Sequence, residues 1–101
     1  MAIDVQDKLE LLQDSAIDDQ EFDQLLGKIL AVRLGQQRRR LRQYERDLQE
    51  FELRFEMKSP LFYRRFEAGE LGDSMDYFEW AGLYELHQEV QRKVERLATA
   101  I

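Results

Sequence analysis

The chain has 101 residues, of which 36% are charged and 44% apolar, and its formal net charge is −6. This length suits one domain over residues 1–101, and the acidic balance disfavours general nucleic-acid binding. Cysteine is absent, which excludes disulfides and thiolate chemistry. No apolar run approaches the roughly 18 residues of a membrane span, and the acidic N-terminus does not resemble a signal peptide. We therefore expect a cytoplasmic protein.

The chain begins with a short predicted helix over residues 4–15. The pair Asp18-Asp19 then predicts a helix cap, because a short carboxylate accepts the free N–H groups of a first turn. From there no residue that breaks helices more strongly than glycine occurs before Pro60. A second helix of roughly 35 to 40 residues is therefore predicted, and at about 1.5 Å per residue it spans more than about 50 Å.

Apolar residues of this second helix alternate three and four apart, which is typical of a heptad seam. The seam comprises Leu34, Gln37, Leu41, Tyr44, Leu48, Phe51 and Phe55. Gln37 is its polar member. Two glycines, Gly27 and Gly35, occur eight residues apart in the same helix. We interpret them as a place where another helix approaches closely, and the alternative is a kink or break near Gly35.

The dipeptide Ser59-Pro60 predicts a new helix, with Ser59 as its cap and Pro60 as its first helical residue. This short helix ends at Gly69, and either Asp73 or Ser74 is placed to cap the last helix. The last helix carries a second heptad seam. That seam comprises Trp80, Leu83, His87, Val90, Val94, Leu97 and Ile101.

Two long helices that each carry a seam pack most economically side by side and in opposite directions. The predicted fold class is therefore all-α, a long antiparallel coiled-coil-like helical hairpin with two short packing helices. The short helices, over residues 4–15 and 60–68, are expected to cover the ends of the hairpin. We also expect a homo-oligomer, because a single hairpin encloses only a thin core.

Acidic and aromatic residues are concentrated at the start of the last helix. Acids recur every three residues, at Glu70, Asp73, Asp76 and Glu79. The apolar residues between them form the seam at Trp80, a second stripe of Met75, Phe78 and Leu86, and a third line of Tyr77 and Tyr84. A helix that is apolar on so many sides must be buried by its own chain, by a second copy or by a partner.

We interpret this segment as partly core and partly an acid-edged surface for a basic partner protein. The predicted partner-binding residues are Glu70, Asp73, Met75, Asp76, Tyr77, Phe78, Glu79, Trp80 and Tyr84. Phe78 and Tyr77 are the predicted anchors. Trp80 is expected to act mainly through the core, because it lies on the seam.

The basic residues are concentrated at Arg38, Arg39, Arg40 and Arg42. Arginines on a helix can displace counterions from a nucleic-acid backbone, which gives one interpretation of this cluster. Consecutive helical residues point in different directions, however, and no aromatic stacking partner is nearby in the sequence. We therefore favour a solvated face whose arginines meet acids on a neighbouring helix.

The single histidine, His87, occupies a seam position. A metal site would need further ligands at a recognisable spacing, so we expect a core or boundary histidine whose hydrogen bonds are satisfied. The acids lack the pattern of a calcium loop, and no nucleophile in a cleft is indicated. The sequence therefore predicts no catalytic, metal-binding or cofactor-binding residue, no cofactor, and a protein that is not an enzyme.

Residues 62–80 read FYRRFEAGELGDSMDYFEW and contain a Gly-x-Leu-Gly-Asp turn followed by an Asp-aromatic-Phe-Glu-Trp box. This run, about a fifth of the chain, resembles a small family of prokaryotic helical proteins that are often encoded beside a toxin-like gene. The resemblance implies an antitoxin-like protein that neutralises a partner, such as a nuclease toxin. It implies no catalytic residues.

The predicted function is thus a non-enzymatic, antitoxin-like protein-binding module that neutralises or regulates a basic partner through its acidic-aromatic segment. One alternative is a nucleic-acid-binding or regulatory helical protein that uses the cluster Arg38–Arg42. Another is a structural oligomeric adaptor. None of the three interpretations involves a membrane.

Overall fold

The computed structural model describes residues 3–15 and 18–101 and places four helices in them. The helices are α1 (Val5–Asp14), α2 (Asp19–Phe55), α3 (Ser59–Glu67) and α4 (Met75–Ala100). The fold is all-α, as predicted. None of the helices in the described ranges is both long and apolar enough to cross a membrane.

The helices α2 and α4 form the predicted hairpin. Trp80, near the start of α4, stacks on Phe51 near the end of α2. Farther along, His87 faces Glu45, and the last turns of α4 lie beside Arg33 and Gln37. Moving away from Trp80, residue numbers therefore increase along α4 and decrease along the facing part of α2. The two helices are antiparallel.

Both predicted seams face the interface between the two long helices. In α2 the buried positions are Leu34, Gln37 and Leu48, and the other four seam residues are half-buried. In α4 every seam residue from Trp80 to Leu97 is buried or half-buried. Ile101 is 59% exposed, so the second seam ends one step earlier than predicted.

Short carboxylates begin the first two helices. The Asp7 N–H donates to Asp4 Oδ1 at 2.8 Å, and the Glu21 N–H donates to Asp18 Oδ1 at 2.7 Å. Each contact satisfies a first-turn donor that has no partner within the helix. The predicted cap at Asp18 is therefore confirmed. At the start of α4 the capping residue is Ser74, although its side chain makes no capping hydrogen bond.

The start of α3 differs from the prediction by one residue. Lys58 is the capping residue and Ser59 is already helical, followed by Pro60 in the first turn. Ser59 does not cap the helix because its hydroxyl accepts a hydrogen bond from Trp80 Nε1 at 2.9 Å. The Ser59 N–H donates instead to Glu52 Oε2 at 2.8 Å, so a carboxylate of α2 takes over the capping role.

The glycines of α2 do not mark a close helix crossing. The helix passes through Gly35 without a break. A Cβ atom at Gly27 would have no neighbour within 4 Å, and one at Gly35 would meet only Arg39 Nη1, at 3.7 Å. The prediction of close approach by another helix is therefore wrong for the described part of the chain, where no atom of another helix lies within 4 Å of a Cβ at either glycine.

The two short helices differ in how they pack. Helix α3 contacts both α2 and α4 and closes one end of the hairpin, where Phe62 is fully buried. Helix α1 contacts α2 alone and has no buried residue. It covers the opposite end less completely than predicted, because it does not reach α4.

Candidate functional site

The first turns of α4 contribute the centre of the aromatic core. Trp80 has 0% exposure. Its ring lies 3.7 Å from that of Phe62, with 6° between the planes, and 5.6 Å from that of Phe51. Burial of so large a ring is a major source of stability in a small domain. Trp80 acts through the core, as expected, and it is not on the surface where a partner would contact it.

The two tyrosines of the segment also pack inward. Tyr77 is half-buried, with its ring 5.4 Å from Phe55 and 5.7 Å from Phe62. Tyr84 is half-buried against Tyr63, at 4.9 Å between ring centroids. The choice of Tyr77 as a surface anchor therefore needs correction, because the rotation of α4 turns this ring toward the core.

Three apolar side chains of α4 point to solvent on the predicted second stripe. Met75 is 75% exposed, Phe78 53% and Leu86 44%. The Phe78 ring meets Phe66 edge-on at 5.4 Å and 87°, which supports its orientation. Gly82 lies between Phe78 and Leu86 on α4, and a Cβ atom added at Gly82 would have no neighbour within 4 Å. Leu86 belongs to the predicted stripe but is not among the predicted binding residues, although its helical spacing from Met75 indicates that it shares their face.

Three of the predicted acids are exposed. Glu79 lies on α4, and Glu70 and Asp73 lie in the segment that precedes it. No lysine or arginine nitrogen lies within 4 Å of them in the described part of the chain. We name the α4 outer surface as the set Met75, Phe78, Leu86, Glu70, Asp73 and Glu79. It combines three exposed apolar side chains with three carboxylates that have no basic partner within 4 Å in the described residues.

The fourth predicted acid, Asp76, has a structural contact. Its Oδ2 accepts a hydrogen bond from Arg54 Nη2 at 2.7 Å, which ties α4 to the end of α2. Both side chains are partly exposed, at 37% and 59%, so the pair contributes little to stability. Asp76 nevertheless offers a partner less negative charge than the other three acids do.

The sequence around the α4 outer surface is acidic. Residues 66–91 contain seven acids and no lysine or arginine. One of these acids, Glu85, accepts a hydrogen bond from the Tyr63 hydroxyl at 2.6 Å. That bond, with a smaller effect of Glu67, raises the pKa of the Tyr63 phenol above its ordinary value.

The arginine cluster does not pair with acids. Arg38, Arg39, Arg40 and Arg42 are exposed. Throughout residues 3–15 and 18–101, the two ion pairs within 4 Å are Arg54–Asp76 and His87–Glu45. The predicted solvated face is therefore confirmed, whereas the predicted contact of these arginines with acids on a neighbouring helix is wrong. The helix beside this region is the basic end of α4, which offers Lys93 and Arg96.

His87 is a boundary residue with incomplete hydrogen bonding. Its Nε2 lies 3.5 Å from Glu45 Oε1, while its Nδ1 is buried without a partner. The expectation that the hydrogen bonds of His87 are satisfied is therefore wrong at Nδ1, which has no partner among the described residues. Among the described residues, no group of three histidine or carboxylate side chains is placed to hold a metal ion.

Comparison with known proteins gives no match, whether to protein-family models, to curated proteins or to solved structures. The resemblance of residues 62–80 to antitoxin-like proteins remains a prediction.

Proposed function

We propose that this chain is a non-enzymatic, antitoxin-like protein-binding module of the cytoplasm, which neutralises or regulates a basic partner protein through the α4 outer surface. One observation carries the proposal. Met75, Phe78 and Leu86 are exposed along one face of α4, and the exposed carboxylates of Glu70, Asp73 and Glu79 have no basic partner within 4 Å in the described residues. An apolar strip with a charged rim is the usual composition of a protein-binding surface.

The chemistry of this surface specifies the class of partner. A basic protein would pair with Glu70, Asp73 and Glu79, and the attraction would speed association and orient docking. Phe78 supplies a ring held by Phe66, which loses little freedom on binding. Met75 supplies an adaptable side chain that fits an irregular partner surface.

A nuclease toxin is a partner of this kind. A nuclease must attract a polyanion, so its active cleft is lined with positive charge. An acidic helix with exposed apolar residues can occupy such a cleft and exclude the substrate. The resemblance of residues 62–80 to antitoxin-like proteins supports the same partner class.

The test compares two variants with equal changes of charge. Asp73→Lys plus Glu79→Lys reverses the α4 outer surface, whereas Glu50→Lys plus Glu95→Lys reverses two exposed acids elsewhere. Asp76 is left unchanged because it pairs with Arg54. All proteins are first melted by circular dichroism, then used for affinity capture from the source cells. The captured protein is purified and its affinity for each variant is measured by calorimetry.

We expect a basic partner that binds the native chain and the control variant alike, and the surface variant at least about tenfold more weakly. Met75→Ser plus Phe78→Ser should weaken binding through the apolar part of the same surface. Equal affinity for native chain and surface variant would refute the proposal. So would a captured partner that is acidic.

A further inference from the structure

A groove of about 400 Å³ opens between α2 and the last turns of α4. Its lining consists of Arg33, Gln37, Lys93, Arg96, Leu97 and Ala100. All three charged residues are basic, and the other three are neutral. Arg33, Lys93 and Arg96 are exposed, and three like charges around one space create a positive potential that attracts an anion.

The groove holds one of its arginines in place with a buried side chain. Gln37 is 2% exposed. With its amide oxygen turned to the guanidinium, it accepts hydrogen bonds from Arg33 Nε at 3.3 Å and Nη2 at 2.9 Å. Gln36 Oε1 accepts a third bond, from Nη1 at 3.1 Å. Both amides are neutral, so they orient the guanidinium without cancelling its charge.

No carboxylate of the described chain lies within 4 Å of Arg33, Lys93 or Arg96. The negative end of the α4 dipole lies close by, but it amounts to only about half of an elementary charge. Three positive charges therefore remain largely uncompensated. The polar member of the α2 seam, Gln37, thus supports a cationic site as well as the hairpin interface.

We propose that this groove binds a phosphate group. An arginine with an oriented fork can contact two phosphate oxygens, and a lysine adds a mobile point charge. The volume is within the range of small-ligand sites. Leu97 and Ala100 provide an apolar surface beside the charges. The phosphate comes either from a free polyphosphate or from a nucleic-acid backbone, which would continue along α2 to the exposed Arg40, seven residues from Arg33.

The test uses tripolyphosphate, a 12-residue single-stranded oligothymidylate and a 12-base-pair duplex as probes. Binding to the full chain is measured by calorimetry at low salt, with backbone NMR shifts to locate the site. Lys93→Gln plus Arg96→Gln removes two charges of the groove. The control, Arg64→Gln plus Arg65→Gln, removes two exposed charges of α3 outside it. Arg40→Gln separates the two phosphate sources.

We expect at least one probe to bind, with NMR shifts at Arg33, Gln37 and Lys93. The groove variant should weaken binding at least tenfold, while the control variant leaves it within about twofold. If Arg40→Gln loses affinity for the oligonucleotides but keeps its affinity for tripolyphosphate, the phosphate belongs to a nucleic-acid backbone. If Arg40→Gln binds every probe as the native chain does, the groove binds a free polyphosphate. If the double groove variant unfolds, Lys93→Gln alone serves the same comparison. Absence of binding to all probes, or equal weakening by the control, overturns the proposal.

Discussion

At the scale of single residues, the Ser59 hydroxyl connects the start of α3 to the centre of the core. It accepts the hydrogen bond of Trp80 Nε1, while the Ser59 backbone N–H donates to Glu52. Ser59 is 2% exposed, so water cannot replace these bonds. A donor that is buried without a partner costs more than an ordinary hydrogen bond contributes.

We predict that Ser59→Ala lowers the free energy of unfolding by about 1–3 kcal/mol, because it leaves the indole N–H unpaired. Urea denaturation followed by circular dichroism measures the change. The control is Ser15→Ala, which removes an exposed hydroxyl that donates to Leu12 within its own helix end. The control should change stability by less than about 0.5 kcal/mol. Equal effects at the two serines would contradict the structural role of Ser59.

At the scale of elements, each long helix has one side that packs and one that is solvated. Leu48 faces α4 and is 6% exposed, whereas Leu53 on the same helix is 79% exposed. The two leucines are identical in intrinsic helix preference. Their different burial follows from their angular positions on α2, since residues five apart lie on different sides of a helix.

We predict that Leu48→Asp costs several kcal/mol, because it places an unpaired charge in the seam between α2 and α4. Leu53→Asp is the control and should change the free energy of unfolding by less than about 0.5 kcal/mol. Thermal and urea denaturation of the two variants measure the difference. An unchanged melting temperature for Leu48→Asp would show that the heptad register is wrong.

The glycines provide a second prediction at this scale. Gly35→Ala should stabilise the protein by about 0.5–1 kcal/mol, because alanine favours a helix and its Cβ meets no close neighbour. Gly72→Ala should destabilise it, because Gly72 has a φ of +81° that strains an L residue. Urea denaturation distinguishes the two. A loss of stability in Gly35→Ala would indicate that a second copy of the chain packs at this glycine.

At the scale of the whole molecule, the shape is elongated. Its radius of gyration is 20.0 Å and its extents are 60 × 28 × 19 Å, whereas a compact domain of this length has a radius of about 13 Å. The accessible surface is 7820 Å², against about 6,100 Å² for a compact protein of this mass. Much apolar surface is therefore left uncovered, notably around α1 and the first half of α2.

We predict that the chain self-associates through this N-terminal region. Leu25, Ile29 and Val32 recur at helical spacing on α2 and are 36%, 55% and 63% exposed. Light scattering should give a mass above the 12.2 kDa of one chain. Ile29→Lys should reduce the mass to that of the monomer, because it puts a charge in the apolar contact. Leu53→Lys, which changes an exposed leucine elsewhere, should not. A monomeric native chain at every accessible concentration would refute self-association and leave the hairpin unaffected.

The sequence by itself determined the four helices and the seams through which the two long ones pack. Helix ends depend on short-range chemistry, such as the capping carboxylates of Asp4 and Asp18. Seam positions depend on a fixed helical period, which counting residues reveals. The exposure of Met75, Phe78 and Leu86 follows from the same count, because their stripe is rotated away from Trp80.

Only the tertiary structure decided which side chains meet across helices. Tyr77 packs inward on Phe55 and Phe62, Asp76 pairs with Arg54, and Ser59 bonds to Trp80 instead of capping α3. Each of these contacts joins residues more than ten positions apart, so their distance depends on the rotation and relative height of two packed helices. Side-chain contacts are sensitive to shifts of about one ångström, whereas a heptad pattern specifies only which face of a helix is apolar.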